Sequence, residues 1–472
     1  MKRLGVRLPS AAPRLYVAGA VVLSAAALAA YPHIVAPPGP PPNVVLVVID
    51  TLRADALGCY GAERPTSPNL DALAARSRVF ERAYSNAPWT LPAMASLFTG
   101  TYPSLHGQTE SKGPRARLPE ELVTLAEALR DAGYDTAAFS AHPWVSPAFG
   151  LGQGVAAEDF QVFAFAGGDE RVTESALEWL RSRAEAEAPR APFFAYLHYM
   201  RPHSPYEPTP EAQRLVLGVV PDPPPLSAKL LALPFEQSFG ALFDAARAGD
   251  VTTEDLAYLR GLYEAEVRMA DTELGRVLAA LRDTGREEDT LVVVTSDHGE
   301  AFLEHGDMLH GSGVYPEMLH VPLIVHLPGR SAARVGHRVQ HVDVLPTVLQ
   351  AAGVEVPPQV QGVSRLPRRD RGESAVFAEA AFGTRDVRVM QGRFAFVAEP
   401  ASPGAGRLYD LSRDPLETED RAPDFPRHVR RLQRELERFL RENDKHKASM
   451  ARTEPAVTPE VLEALRSLGY TH

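Results

Sequence analysis

Asp50 closes an apolar run, Asn43 to Ile49, and Asp297-His298-Gly299-Glu300 closes another in the string T-S-D-H-G-E. Two carboxylates, one imidazole and the hydroxyl of Thr90 make a donor set for one divalent cation. Oxygen donors with a single nitrogen suit Ca2+, Mg2+ or Mn2+, and the imidazole also admits Zn2+. An aspartate at a strand end is often a helix cap or turn residue instead; the D-H-G-E string after an apolar run favours the cation. Thr90 stands in N-A-P-W-T-L-P-A-M. A threonine hydroxyl is a weak nucleophile until a base or a metal activates it. Pro92 predicts a helix through Phe98, with Thr90 either capping it or facing an anion pocket at its N-terminus. Those two readings are compatible. His198 and His203 lie in L-H-Y-M-R-P-H-S-P-Y, and His305 and His310 in E-H-G-D-M-L-H-G. Imidazoles near neutral pH exchange protons and bind oxyanions.

Something must hold these residues together. The run N-V-V-L-V-V-I predicts a strand buried on both faces, as in a parallel sheet. Similar runs fall at Asp135 to Ser140, Pro192 to His198, Thr290 to Ser296 and Val321 to Leu327. Between Thr253 and Asp283, Leu259, Tyr263, Val267, Ala270, Leu274, Val277 and Leu281 recur every three or four positions, which predicts a long amphipathic helix. Strands alternating with helices predict an α/β fold: a large, mostly parallel sheet with helices on both faces. Ligand-binding residues of such sheets gather at the carboxyl ends of the strands, where Asp50, His198 and Asp297-His298 stand. The Pro- and Ala-rich stretch from Glu207 to Asp250 reads as a surface excursion, helical in its second half.

Residues 86–107, N-A-P-W-T-L-P-A-M-A-S-L-F-T-G-T-Y-P-S-L-H-G, resemble the signature segment of the sulfatase family, within the alkaline phosphatase superfamily. There the segment opens C/S-x-P-x-R, and the first residue becomes formylglycine, the nucleophile. Here that position is Thr90, Pro92 is kept, and the arginine position is Met94. Threonine cannot become formylglycine. The resemblance implies that Asp50, Thr90, Asp297 and His298 bind one divalent metal ion. It implies that His203 contacts the ester oxyanion and that His198 shares a substrate-binding role. His310, where sulfatases commonly carry lysine, is assigned to substrate binding and to protonation of the leaving group, and His305 to support of the loop. The chain departs from the family in having Asp50-Thr51 for two consecutive Asp, and F-S-A-H-P-W without the usual lysine, where His142 is a partial substitute. His320 takes an arginine position. Asp343, in H-V-D-V-L-P-T, reads as a helix cap.

The resemblance divides the chain into a catalytic domain at 43–360, a small C-terminal α+β subdomain at 361–445 and a tail at 446–472. L-Y-D-L-S-R-D-P-L-E-T and an amphipathic helix near Phe425 to Glu442 fall in the small subdomain. At the front, Lys2, Arg3, Arg7 and Arg14 precede an apolar stretch from Leu15 to Ala30. Residues 1–31 are thus a signal peptide, cut near Ala27-Leu28-Ala29, or a membrane anchor of about 16 residues, a little short of the usual span. Residues 32–42 are a Pro-rich spacer. The basic flank places the rest of the chain across the membrane, on the periplasmic or extracellular face of the cell envelope.

The chain has 472 residues with 49 basic and 60 acidic side chains, a net charge of −11, which excludes an extended nucleic-acid surface. The single cysteine, Cys59, excludes an intramolecular disulfide and reads as a packed small hydrophobe.

The ester remains open between two elements. Formylglycine hydrate has a second hydroxyl that expels sulfate; Thr90 has one, so a group carried on it must leave by attack of water or an acceptor alcohol. This favours phosphate over sulfate esters of a small molecule, a glycan or a lipid head group. The alternatives are a sulfuric ester hydrolase using the same threonine, and a non-catalytic relative that binds anionic ligands.

Overall fold

Alternation along one strand builds a core on each side of the central sheet. β1 (Asn43–Ile49) is buried throughout. Val44, Leu46 and Val48 point to one side, Val45, Val47 and Ile49 to the other, as period-2 geometry requires. The first set packs against the helices Thr90–Thr99, Leu125–Asp131 and Val344–Ala352. The second packs against Pro68–Ala74, Gly168–Ala184 and the long helix Thr253–Asp283. The computed structural model describes residues 40–109, 116–164, 167–184, 191–233, 235–366, 374–380, 385–400 and 405–467. The leader, most of the spacer and the last residues of the tail lie outside the described residues. Among the described residues no helix is long and apolar enough to cross a membrane.

The remaining strands are β2 (Arg78–Tyr84), β3 (Asp135–Ser140), β4 (Phe160–Val162), β5 (Phe193–Tyr199), β6 (Thr290–Thr295), β7 (Ala301–Phe302), β8 (Met308–Leu309), β9 (His320–Val321), β10 (Leu323–His326) and β11 (Ala333–Gln340). The sheet order is β11-β2-β10-β6-β1-β5-β3-β4, with β9 on β2. All strand pairs are parallel except those made by β9 and β10. β1 lies between β5 and β6, with Val48 opposite His198 on one side and Thr295 on the other. Asp50, His198 and Asp297 therefore emerge at one end of three adjacent strands.

The run Val321 to Leu327 is two short strands, and β10 is antiparallel to its neighbours. The excursion after Glu207 is helical in its first half as well: Pro210–Leu217, Pro225–Leu231 and Phe235–Ala248. A proline in the first turn starts the first two.

The C-terminal unit is an antiparallel sheet of β12 (Val376–Glu379), β13 (Val387–Gln391), β14 (Phe394–Ala398) and β15 (Arg407–Asp410). The helix Pro426–Lys447 covers it through Leu432, Leu436 and Phe439. Phe439 stacks on Phe377 at 4.0 Å, and both meet Tyr102 of the larger unit. Cys59 packs at the edge of the second core, and burial pushes its thiol up to about 12, which leaves it unreactive.

Candidate active site

The amide of Thr51 donates to Asp297 Oδ1 at 3.1 Å, tying the turn after β1 to the turn after β6. Thr51 itself adopts φ +53°, which swings the chain away immediately beyond Asp50. Gly299 passes so close to the Glu317 carbonyl that a Cβ would lie 2.1 Å from it, so only glycine follows His298 without displacing backbone. Potential ligand atoms of Asp50, Asp297 and His298 all lie within 4.8 Å of one another, and the three residues are fully buried.

The helix Thr90–Thr99 is buried along its whole length and brings Thr90 into this cluster, with Oγ1 3.3 Å from His298 Nε2. His298 Nδ1 lies 2.9 Å from the Gly299 carbonyl, so Nδ1 carries the proton and Nε2 presents its lone pair. The cap position is Trp89, not Thr90, so the capping reading of Thr90 does not hold. Met94 is buried under the site, its sulfur 4.0 Å from the Tyr196 hydroxyl.

His198 differs from expectation. Its Nε2 lies 3.0 Å from Asp50 Oδ2 and its Nδ1 2.6 Å from the Tyr196 hydroxyl. With both nitrogens engaged it orients Asp50 and offers nothing to a substrate. His142 flanks the same carboxylate oxygen at 3.7 Å. Its Nδ1 accepts from the Trp144 amide, so the ring's proton sits on Nε2, toward Asp50. Burial, together with neighbouring imidazoles, pushes both rings below the ordinary histidine range, His198 to about 4, and keeps them neutral.

His203 and His310 form the opposite wall, 4.8 Å apart between ring centres, with His310 4.6 Å from His298. Each is anchored through Nδ1, His203 on the Ser204 carbonyl and His310 on Glu300 Oε1 at 2.8 Å. The Tyr206 hydroxyl donates to the other Glu300 oxygen. Burial pushes Glu300 up to about 7 and holds His203 and His310 down to about 3 and about 4. His305 lies apart, bonded to Glu317 and stacked on Tyr315, as a loop support. His320 bonds the Glu81 carbonyl, and Asp343 accepts from the Gln340 amide and pairs with Arg365.

Sequence reasoning gave Glu300, Tyr206 and Tyr196 no role. Glu300 is two residues from His298, and Tyr206 stands three after His203 in P-H-S-P-Y, so the signal was adjacent to residues already singled out. Tyr196 has no comparable signal, because it faces His198 only through strand alternation.

The carboxylates fit a cation. Asp50 Oδ1 and Asp297 Oδ2 are buried without a hydrogen-bond partner, an arrangement protein interiors avoid unless another ligand satisfies the atoms. Burial, then Asp297 and Glu300, push the Asp50 carboxyl well above its ordinary value. Burial would raise Asp297 too, but His298, His198 and the Thr51 and His298 amides hold it below. A crowded pair of acids with one imidazole lone pair is what a divalent cation relieves.

The sulfatase family profile matches residues 42–354, and a profile for the C-terminal part of N-sulphoglucosamine sulphohydrolase matches 304–446. The chain belongs to the sulfatase family. It is an ester hydrolase of that family. Arylsulfatase K of Bos taurus is 27% identical over 458 residues, covering 84% of this chain and 82% of its own. Among solved structures, a 2-O GAG sulfatase superposes with a TM-score of 0.70 at 20% identity, over 89% of this chain and 96% of that one, a likeness of fold. A phosphonate monoester hydrolase of Agrobacterium radiobacter superposes with a TM-score of 0.67 at 25% identity, over 86% and 96%.

Proposed function

We propose that this sulfatase-family protein cleaves or transfers phosphate esters through Thr90, in preference to sulfate esters. The observation that carries the reading is the Thr90 hydroxyl itself: one oxygen, fully buried, 3.3 Å from His298 Nε2 and beside two acids. A divalent cation held by Asp50, Asp297, His298 and Thr90 would lower the pKa of that hydroxyl and offset negative charge on the ester oxygens.

Thr90 Oγ, whose proton would pass to solvent as the cation lowers its pKa, displaces the ester's alcohol in line, and the Thr90–phosphorus bond forms as the bond to the departing oxygen breaks. The helix that Thr90 opens aims its N-terminus at the anion. His310 faces the departing oxygen. With a proton on Glu300 donated to Nδ1, Nε2 of His310 carries the N–H that the alkoxide takes up. His203 beside it binds the oxyanion. Water or an acceptor alcohol then attacks phosphorus and frees Thr90, a route that one hydroxyl permits and formylglycine elimination does not share. Similarity to a phosphonate monoester hydrolase supports phosphorus chemistry.

Sulfate esters are the second reading, favoured by the similarity to arylsulfatase K over most of both chains. The substrate is a small molecule, a glycan or a lipid head group, met on the outer side of the cell envelope, and fractionation of tagged protein tests that location. Wild type and Thr90→Ala are assayed in parallel on an aryl sulfate, a phosphate monoester and a phosphodiester. Turnover confined to the sulfate overturns the phosphate preference, and unchanged activity in Thr90→Ala overturns the nucleophile.

A further inference from the structure

Beside His203 and His310 the chain builds an open cleft whose lining is largely apolar. The floor is Ser204-Pro205-Tyr206, the segment that carries His203. Leu230, Leu231 and Leu233 come from the end of the helix Pro225–Leu231 and the residues after it; Phe239 and Leu242 come from Phe235–Ala248. Leu259 of the long helix closes the back.

Phe239 joins this cleft to the chemistry. Its ring lies 5.6 Å from His310 and stacks over His203 at 6.4 Å with 15° between planes. Phe239 is thus shared between the lining of the cleft and the packing of the pair that meets the departing oxygen. No Lys, Arg or His is among the described residues lining it, and the charged one, Glu207, is an exposed acid. A polyanionic sugar would find no cation there and one repulsive carboxylate. Leu231 at the rim is 41% exposed, and Leu215, Val219 and Val220 of the same excursion are likewise exposed apolar side chains. Small-molecule sites are likewise largely apolar with few polar groups.

We infer that this cleft is the subsite for an apolar alcohol, so that the protein acts on esters whose departing group is an aryl ring or an alkyl chain. The inference rests on the ester-cleaving reading above and names which part of the ester is apolar. It does not depend on whether phosphorus or sulfur is attacked.

Binding of methyl-, phenyl- and hexylphosphonate to the full chain in buffer with a divalent cation is measured by titration calorimetry, and the same series is run as sulfonates. At least one of the phenyl and hexyl probes is expected to bind about tenfold or more tighter than methyl, the gain of taking a ring or chain out of water. The tighter arm assigns ring or chain. Leu231→Asp, a rim change at a half-exposed position, is expected to weaken the phenyl and hexyl probes severalfold and to leave methyl within twofold; Leu242→Asn repeats the test deeper in the cleft. Equal affinity for all three probes overturns the subsite, as does failure of all of them to bind, or equal weakening of all three in Leu231→Asp. Thr90→Ala is expected to lose turnover while keeping the preference for the phenyl or hexyl probe over methyl, so failure of the nucleophile and failure of the subsite read out separately.

Discussion

Thr90 Oγ1 and His298 Nε2 lie 3.3 Å apart although 208 residues separate them in the chain. The contact exists because a buried helix N-terminus is packed against the end of a central parallel strand. The closest side-chain exchange at this contact keeps the oxygen and removes one methyl. Thr90→Ser is therefore expected to retain activity within about tenfold, since its primary hydroxyl reaches the same place, whereas Thr90→Ala is expected to lose about 10³-fold or more in kcat. Steady-state kinetics on the preferred ester check both, and equal activity of the two variants would exclude Thr90 as the group that attacks.

Chelation is expected to abolish activity and to lower the melting temperature, because a ligand that binds only the folded state stabilises it by mass action. Asp50 and Asp297 hold partnerless buried oxygens, so the loss comes from this cluster. Asp297→Asn is expected to be inactive and to show a melting temperature that no longer responds to chelator or to added Mn2+ or Ca2+. A variant that still responds as wild type does would place the cation elsewhere.

His310 is held through Nδ1 by Glu300, with Tyr206 behind it. If it protonates the departing oxygen, its removal matters most for alcohols that leave poorly. His310→Ala is expected to slow alkyl esters by about 10²–10⁴-fold and nitrophenyl esters far less, steepening the dependence of rate on leaving-group pKa. Glu300→Gln, which cannot pass a proton to Nδ1, is expected to shift in the same direction by a smaller factor. An unchanged slope in both would leave His310 only a binding role.

These residues differ in how legible they were. Asp50 and Asp297-His298 were readable because each ends an uninterrupted apolar run, and parallel strands put such ends on one edge. The long helix Thr253–Asp283 was readable to its termini, because a capping box starts it and a sustained 3.6-residue pattern carries it. His198 was misread as a substrate contact. Its position at a strand end is visible in sequence, but the Tyr196 and Asp50 contacts that occupy its two nitrogens depend on strand register. β2 and β11 were missed, since R-V-F-E-R-A-Y and A-R-V-G-H-R-V-Q alternate with charges instead of running apolar; β11 is the sheet's edge and β2 the strand beside it. The apolar cleft was invisible for a different reason: most of its leucines come from a Pro- and Ala-rich excursion, and Leu259 from the long helix, so their meeting depends on tertiary packing.

Glu379, at the end of β12, accepts from the Ser104 amide at 3.0 Å and from its hydroxyl at 2.8 Å, and Asn443 of the C-terminal helix donates to the same hydroxyl. This buried junction ties the small unit to the larger one. Burial pushes the Glu379 carboxyl from 4.5 up to about 7. A carboxyl raised in the folded state binds its proton more tightly there than in the unfolded chain. Its contribution to stability is therefore full below about pH 4.5 and is lost as pH rises to about 7, then stays constant. Glutamine accepts the same two hydrogen bonds without ever ionising. Glu379→Gln is expected to match wild type in melting temperature near pH 4 and to exceed it near pH 8, by on the order of 2–4 kcal/mol in unfolding free energy. Denaturant melts of both proteins at the two pH values decide it: a difference that does not grow with pH would mean that Glu379 ionises normally where it is buried.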